Sequence, residues 1–175
     1  MSTSLSLDRE QFYEQRACSE MDRYPDKDPS TIRLLLNLLG AFDVAERLLA
    51  KRLAPFGLSP STFNVMMILR QHPEGCAMSA LSGLLLVSRA NITGLIDSLE
   101  ERGLVQRTAC PGDRRSKVGK LTDSGRQLLE NILPDHYSYL RSLLAEFPEN
   151  DKAQLTALLI RLRLTMQSFS PEVGE

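Results

Sequence analysis

The chain has 175 residues and a formal net charge of -1, with 42% hydrophobic and 25% charged residues, which suits one domain with a sizeable core, or one domain with an extension. No apolar run approaches the ~20 residues of a membrane span, and the N-terminal "MSTSLSLDREQ" lacks the basic and then apolar stretches of a secretory leader. Cys18, Cys76 and Cys110 lie too far apart for a disulfide framework or a CxxC metal site, so a reducing cytoplasm is the expected setting.

Most of the chain reads as helix. Residues 6–24 carry weak helical signals, with Ser6 as a cap and Phe12, Tyr13, Ala17, Met21 and Tyr24 as a loose apolar stripe. "YPDKDPS" breaks that pattern as a linker, through its two prolines and alternating charge. Ser30 or Thr31 is the expected cap of the next helix, in which Ile32, Leu35, Leu36, Leu39 and Phe42 recur at helical spacing and Leu49 and Leu53 continue the row. Leu34, Leu38 and Ala41 add a second apolar face, so this helix needs more than one neighbour to cover it. Pro55 and Gly57 end it.

Ser59 caps a helix with Pro60 in its first turn, followed by Phe63, Met66, Met67 and Arg70. "GCAMS" is a brief strand or simply a turn. Met78 to Leu86 is a short helix, and Ser88 caps another, in which Ile92, Leu95, Ile96 and Leu99 fall at i, i+3, i+4 and i+7 and which Gly103 stops. "LVQRT" and "KVGKL" read as strands joined by a loop with Pro111 and Gly112, a β-hairpin. Thr122 caps a long helix that Pro134 should kink or restart. The last helix follows Pro148, with Leu155, Leu158, Leu159, Leu162, Met166 and Phe169 as its stripe. No internal repeat of ~20–50 residues is evident.

The distribution of charge is more informative than its sum. Met1 to Ser30 holds seven acidic and four basic residues, whereas Ser88 to Lys120 holds seven basic and four acidic ones. The basic region coincides with two helices joined by a tight turn and followed by a hairpin, the order of a winged helix-turn-helix whose second helix enters the DNA major groove. The outer side of that helix carries Arg89, Ala90, Asn91, Thr93, Gly94, Asp97 and Ser98, small or hydrogen-bonding residues suited to base edges. Ser88 at its start offers free backbone N–H groups to a phosphate. Arg114 and Arg115 at the wing tip suit phosphates or the narrow minor groove, and Asp113 is placed to orient a neighbouring arginine. Lys117, Lys120 and Arg107 are expected positioning charges on the strands.

"VSRANITGLIDSLEERGLVQR", a wing with "DRR" and then "LTDSG" together resemble the MarR family of bacterial transcriptional regulators over approximately Thr31 to Phe169. The resemblance implies a mainly α fold, a winged helix-turn-helix with a two-stranded β-wing and long N- and C-terminal dimerisation helices. It implies a homodimer on double-stranded DNA with a pseudo-palindromic operator, often released by a small ligand, and assigns Asp113 and Arg115 as the wing aspartate and the minor-groove arginine. The expected division is an extension with linker over 1–30, a dimerisation helix over 31–55, a DNA-binding lobe over 56–122 and C-terminal dimerisation helices over 123–175. The segment before Ser30 lies outside the common family core.

The function expected from these features is that of a repressor relieved by a small molecule, an aromatic acid or its coenzyme A thioester. The ligand would sit between the dimerisation helices and the DNA-binding lobe, against Phe42, Phe63, Met67 and His136, with Arg33 as anion anchor. Two alternatives stay open: an oxidant sensor of the same fold working through cysteine, and a winged-helix protein-interaction module without specific DNA binding. Cys18, among Arg16, Glu20 and Asp22, lacks an electropositive niche that would activate a thiol. His72 and His136 have no acidic or cysteine cluster beside them, so no metal is expected, and no cofactor. No GxSxG, P-loop, GxGxxG or HExxH stretch supports an enzyme.

Overall fold

A computed structural model describes residues 28–85, 89–110 and 113–169, with backbone alone at 89, 90, 110 and 113–116. In chain order the elements are α1 (Pro29–Leu53), a 3-10 turn (Ala54–Phe56), α2 (Pro60–Gln71), β1 (Cys76–Ala77), α3 (Met78–Leu85), α4 (Arg89–Glu101), β2 (Val105–Cys110), β3 (Asp113–Leu121), α5 (Asp123–Leu143) and α6 (Glu149–Ser168). The fold is mainly α with a small antiparallel sheet, a winged helix-turn-helix. The expected helix at 6–24 and the Ser88 cap lie outside the described residues.

The helix ends follow local chemistry. Asp28, rather than Ser30 or Thr31, caps α1: its carboxylate accepts from the Ser30 N–H at 2.9 Å, the Ser30 hydroxyl at 2.7 Å and the Thr31 hydroxyl at 2.6 Å. A carboxylate takes several donors at once, whereas each hydroxyl serves here as a donor to it. At α2 Ser59 is the cap, as expected, and Thr62 completes a capping box that was not foreseen, with the Thr62 N–H donating to Ser59 Oγ at 3.1 Å and the Ser59 N–H donating to Thr62 Oγ1 at 2.9 Å. "GCAMS" resolves as a strand: β1 pairs antiparallel with β3 through Cys76–Gly119 and Ala77–Val118, giving a three-stranded sheet in the order β1-β3-β2. The wing is therefore a β2–β3 hairpin whose root is joined by a third short strand. Pro134 neither ends nor restarts α5, which runs as one helix from Asp123 to Leu143.

The chain divides into two compact units, one ending at Arg126 and the other beginning at Gln127. In the first, Leu53, Phe63, Val65, Met66, Leu69, Leu81, Ile92, Ile96, Leu99 and Val118 form a buried core drawn from every helix and from the sheet. In the second, Leu129, Ile132, Leu133 and His136 are buried along one stripe of α5, while no described residue of α6 is buried. Among the described residues no helix is long and apolar enough to cross a membrane.

Candidate nucleic-acid interface

Helix α4 is amphipathic in the sense the spacing requires. Ile92, Ile96 and Leu99 are fully buried, whereas Asn91, Thr93, Gly94, Asp97 and Ser98 are exposed. Burial of three branched side chains on the core fixes the rotation of the helix about its axis. That rotation turns the polar row to solvent. Gly94 sits in this row with no heavy atom within 4 Å of where a Cβ would stand, so nothing in its own chain demands a glycine there.

The far end of α4 is pinned on three sides. Gly103 adopts φ +67°, the left-handed conformation that glycine tolerates, and a Schellman cap forms: the Leu104 N–H donates to the Leu99 carbonyl and the Gly103 N–H to the Glu100 carbonyl, both at 2.9 Å. Arg102 donates to the Gly57 carbonyl at 2.5 Å and the Phe56 carbonyl at 2.8 Å, tying this end to the turn after α1. Thr122 explains the start of "LTDSG": its hydroxyl donates to the Gly103 carbonyl at 2.7 Å and accepts from the Gly125 N–H at 3.0 Å, so one side chain caps α5 and holds the α4 turn. A Cβ at Gly125 would collide with the Leu104 carbonyl oxygen. Glycine there is a packing requirement.

The wing leaves the same turn. Val105–Leu121 through Ala109–Lys117 pair in regular antiparallel register, after which Cys110 pairs with Asp113. Arg114, Arg115 and Ser116 lie on the strand segment between those last two pairings, a register shift of the kind that bends a hairpin tip. Lys117 is exposed on β3, and Lys120 approaches Glu74 at 3.5 Å. The side chains of Arg89, Ala90, Asp113, Arg114 and Arg115, and all of Ser88, lie outside the described residues.

Arg107 is engaged within the chain. Its Nη2 meets Asp97 Oδ1 at 2.5 Å and the Thr93 carbonyl at 3.3 Å, and its Nη1 meets Glu100 Oε2 at 2.6 Å. Its backbone N–H donates to Glu100 Oε1 at 2.9 Å. That backbone hydrogen bond, with the guanidinium, holds the Glu100 carboxyl below its ordinary pKa. Partial burial works against the Arg107 charge, but the hydrogen bonds to Asp97 and Glu100 outweigh it and raise the arginine further. Asp97 was legible only as an outward polar residue, and Glu100 and Arg102 gave no functional signal. Their partners come from other elements, although carboxylates at i and i+3 before a strand arginine are a signal that could have been read.

The five candidate ligand-binding residues occupy different surroundings. Phe63 belongs to the core and His136 is buried on α5, Met67 is half-buried, and Phe42 and Arg33 are exposed on α1, with 63% of Phe42 accessible. Cys76 is buried in β1, and desolvation pushes its thiol up, away from the reactive thiolate. Cys18 and the Cys110 side chain lie outside the described residues. Among the described residues no group of His, Cys, Asp or Glu is placed to hold a metal ion.

Comparison with known proteins agrees with this geometry. The family model described as MarR family matches residues 58–117, from the loop before α2 to the wing. The HTH-type transcriptional regulator PecS of Dickeya dadantii is 30% identical over 140 residues, covering 79% of this chain and 84% of that protein. The HTH-type transcriptional repressor YetL of Bacillus subtilis is 28% identical over 142 residues, covering 79% of this chain and 83% of the relative. Sco3205, a MarR family regulator from Streptomyces coelicolor solved in complex with DNA, superposes with a TM-score of 0.70 at 20% identity over 81% of this chain and 90% of its own, a likeness of fold. A polar reading helix backed by a buried stripe, a hairpin wing at its end and a relative of this identity and coverage lead to one conclusion: the chain belongs to the MarR family of transcriptional regulators, DNA-binding proteins that are not enzymes.

Proposed function

We propose that the protein is a cytoplasmic homodimeric repressor that reads a pseudo-palindromic operator and is released by a small molecule. The observation that carries the reading is the division of α4, with Ile92, Ile96 and Leu99 wholly buried and Asn91, Thr93, Gly94 and Ser98 turned outward. Asn91 and Arg89 supply base contacts with the small Ala90 between them, Ser88 supplies a phosphate contact, and Arg114, Arg115 and Lys117 supply wing contacts, with Asp113 orienting one arginine. The YetL name supports repression, and the Sco3205 complex supports DNA as the partner of this fold.

Dimerisation rests on apolar surface. On α1, Leu34, Leu39 and Phe42 are 51%, 63% and 63% exposed, and on α6 Leu158 and Leu164 are 52% and 56% exposed. Rows of exposed leucines of this kind mark interaction surfaces. Arg33, Phe42 and Met67, all in the first unit, are the proposed contacts of the effector, an aromatic acid or its coenzyme A thioester. It releases DNA only through its different affinity for the two dimer geometries.

The test begins with light scattering at micromolar concentration, where a dimer is expected and a monomer overturns the reading. An operator duplex selected from a random pool is then titrated at several salt concentrations with the wild type and Arg115→Ala. The log–log slope should fall by ~0.9 for each phosphate that the variant no longer neutralises. An unchanged slope and affinity remove the wing from recognition, and absence of any sequence preference favours a protein-interaction module. Adding aromatic acids or thioesters, and separately peroxide, to the wild type and a variant with all three cysteines changed to serine decides the signal. Release by peroxide alone, abolished in the serine variant, replaces the ligand reading by oxidant sensing.

A further inference from the structure

Arg107 lies on β2, an edge strand of the sheet, and its partners Thr93, Asp97 and Glu100 lie on α4. The spacing i, i+4, i+7 places those three on one side of the helix over about two turns, ~10 Å of its length. A single guanidinium therefore spans the wing root and the reading helix. Its two terminal nitrogens go to two different carboxylates, and the same residue's N–H goes to Glu100. With 18% of its side chain exposed, Arg107 is far less open to solvent than Asp97 at 50% or Glu100 at 39%.

We propose that Arg107 is a positioning residue for DNA recognition, fixing the wing to the reading helix through Asp97 and Glu100, and that it does not serve as a phosphate contact. The inference deepens the DNA-binding reading above and rests on it. Base readout needs the helix and the wing to reach adjacent grooves at the same time, so their relative orientation is part of the specificity. One cation between two carboxylates leaves the cluster with a net negative charge, which offers no attraction to phosphate. It also offsets part of the repulsion that Asp97 and Glu100 would otherwise impose on the DNA. Lysine, a point charge without a planar fork, cannot hold both carboxylates in this geometry.

The test uses the full chain and two duplexes, one selected from a random pool by the wild type and one scrambled, with affinity read by fluorescence anisotropy over a range of salt. The decisive variant is Asp97→Asn with Glu100→Gln, which keeps the shapes and the proposed base contacts Arg89 and Asn91 while removing the charges that hold Arg107. Affinity for the scrambled duplex should stay or rise, because two negative charges are gone. The ratio of selected to scrambled affinity should fall about ten-fold, the worth of roughly one bidentate base contact. Arg107→Lys should show the same fall in ratio with an unchanged salt slope on scrambled DNA. An intact ratio in the Asn/Gln variant overturns the proposal, as does an Arg107→Lys variant that keeps full specificity. Loss of folding in Arg107→Ala, followed by thermal melting, leaves the other two variants to decide. A wild type with no preference for any selected sequence overturns the DNA-binding reading itself, which separates that failure from failure of the clamp.

Discussion

Helices α4 and α6 are both rich in apolar residues, gathered on one face in α4 and spread around the axis in α6, and they meet different fates. In α4 the row Ile92, Ile96 and Leu99 is wholly buried within its own unit, while in α6 Leu155, Leu158, Leu159 and Met166 are 45%, 52%, 40% and 53% exposed. Period-3.6 hydrophobicity states that a face must be covered and is silent about what covers it. For α4 the cover is the chain's own core, so the row sets the orientation of a reading surface. For α6 the cover proposed here is a second copy.

Truncating the buried row should separate the two helices most clearly. Ile96→Ala should cost ~2–5 kcal/mol, because the transfer energy of the removed groups is forfeited and a cavity is left behind. A lowered denaturant midpoint with an unchanged slope checks this, and a change below ~1 kcal/mol would show that α4 is loosely packed. On α6 the effect should appear as dissociation. Leu158→Glu with Leu159→Glu should weaken the dimer by about 2 kcal/mol or more, roughly 30-fold, while monomer helicity persists. Sedimentation at falling protein concentration reads it, and an undisturbed dimer would place the interface elsewhere.

Gly94 tests the exposed side of α4 at finer scale, since open space surrounds it. Gly94→Ala should stabilise the fold by up to ~1 kcal/mol through helix propensity, yet weaken operator binding if the DNA backbone approaches closely there. Stability and affinity rising together would show that glycine is merely tolerated. The smallest effect concerns the start of α1. The Thr31 and Ser30 hydroxyls and the Ser30 N–H hold Asp28 at about 2, below its ordinary 3.8. A depressed carboxyl contributes stability that is complete above its unfolded value and is lost as pH falls through the folded one. Circular dichroism should therefore show a slight loss of helix between pH 3.8 and about 2, and Asp28→Ala should remove that acid step.

Signals carried by neighbours in the chain were legible. The row Ile92, Leu95, Ile96 and Leu99 (buried except for the half-buried Leu95), the Ser59 cap, the Gly103 stop and the Thr122 cap each depend on residues within one or two turns, and each formed. Competing local donors and acceptors misled the reading at α1, where Asp28 outcompeted Ser30 and Thr31. "GCAMS" could not be assigned because a two-residue strand exists only through its partner, and Gly119 and Val118 lie more than 40 positions away. Arg107 read as a surface charge for DNA because nothing in the strand itself reveals the carboxylates on α4.

Local chemistry along the chain was enough to specify the helices, their polar and apolar faces, the hairpin and hence the family, because periodicity, caps and turn residues act over a few positions. Packing in three dimensions was needed to bring β1 to the wing, to set Gly125 against the Leu104 carbonyl, to tie α4 through Arg102 to the turn after α1 and to join Arg107 to the reading helix. Each of these depends on distance and direction between groups on different elements, and such distances exist only once the core has packed.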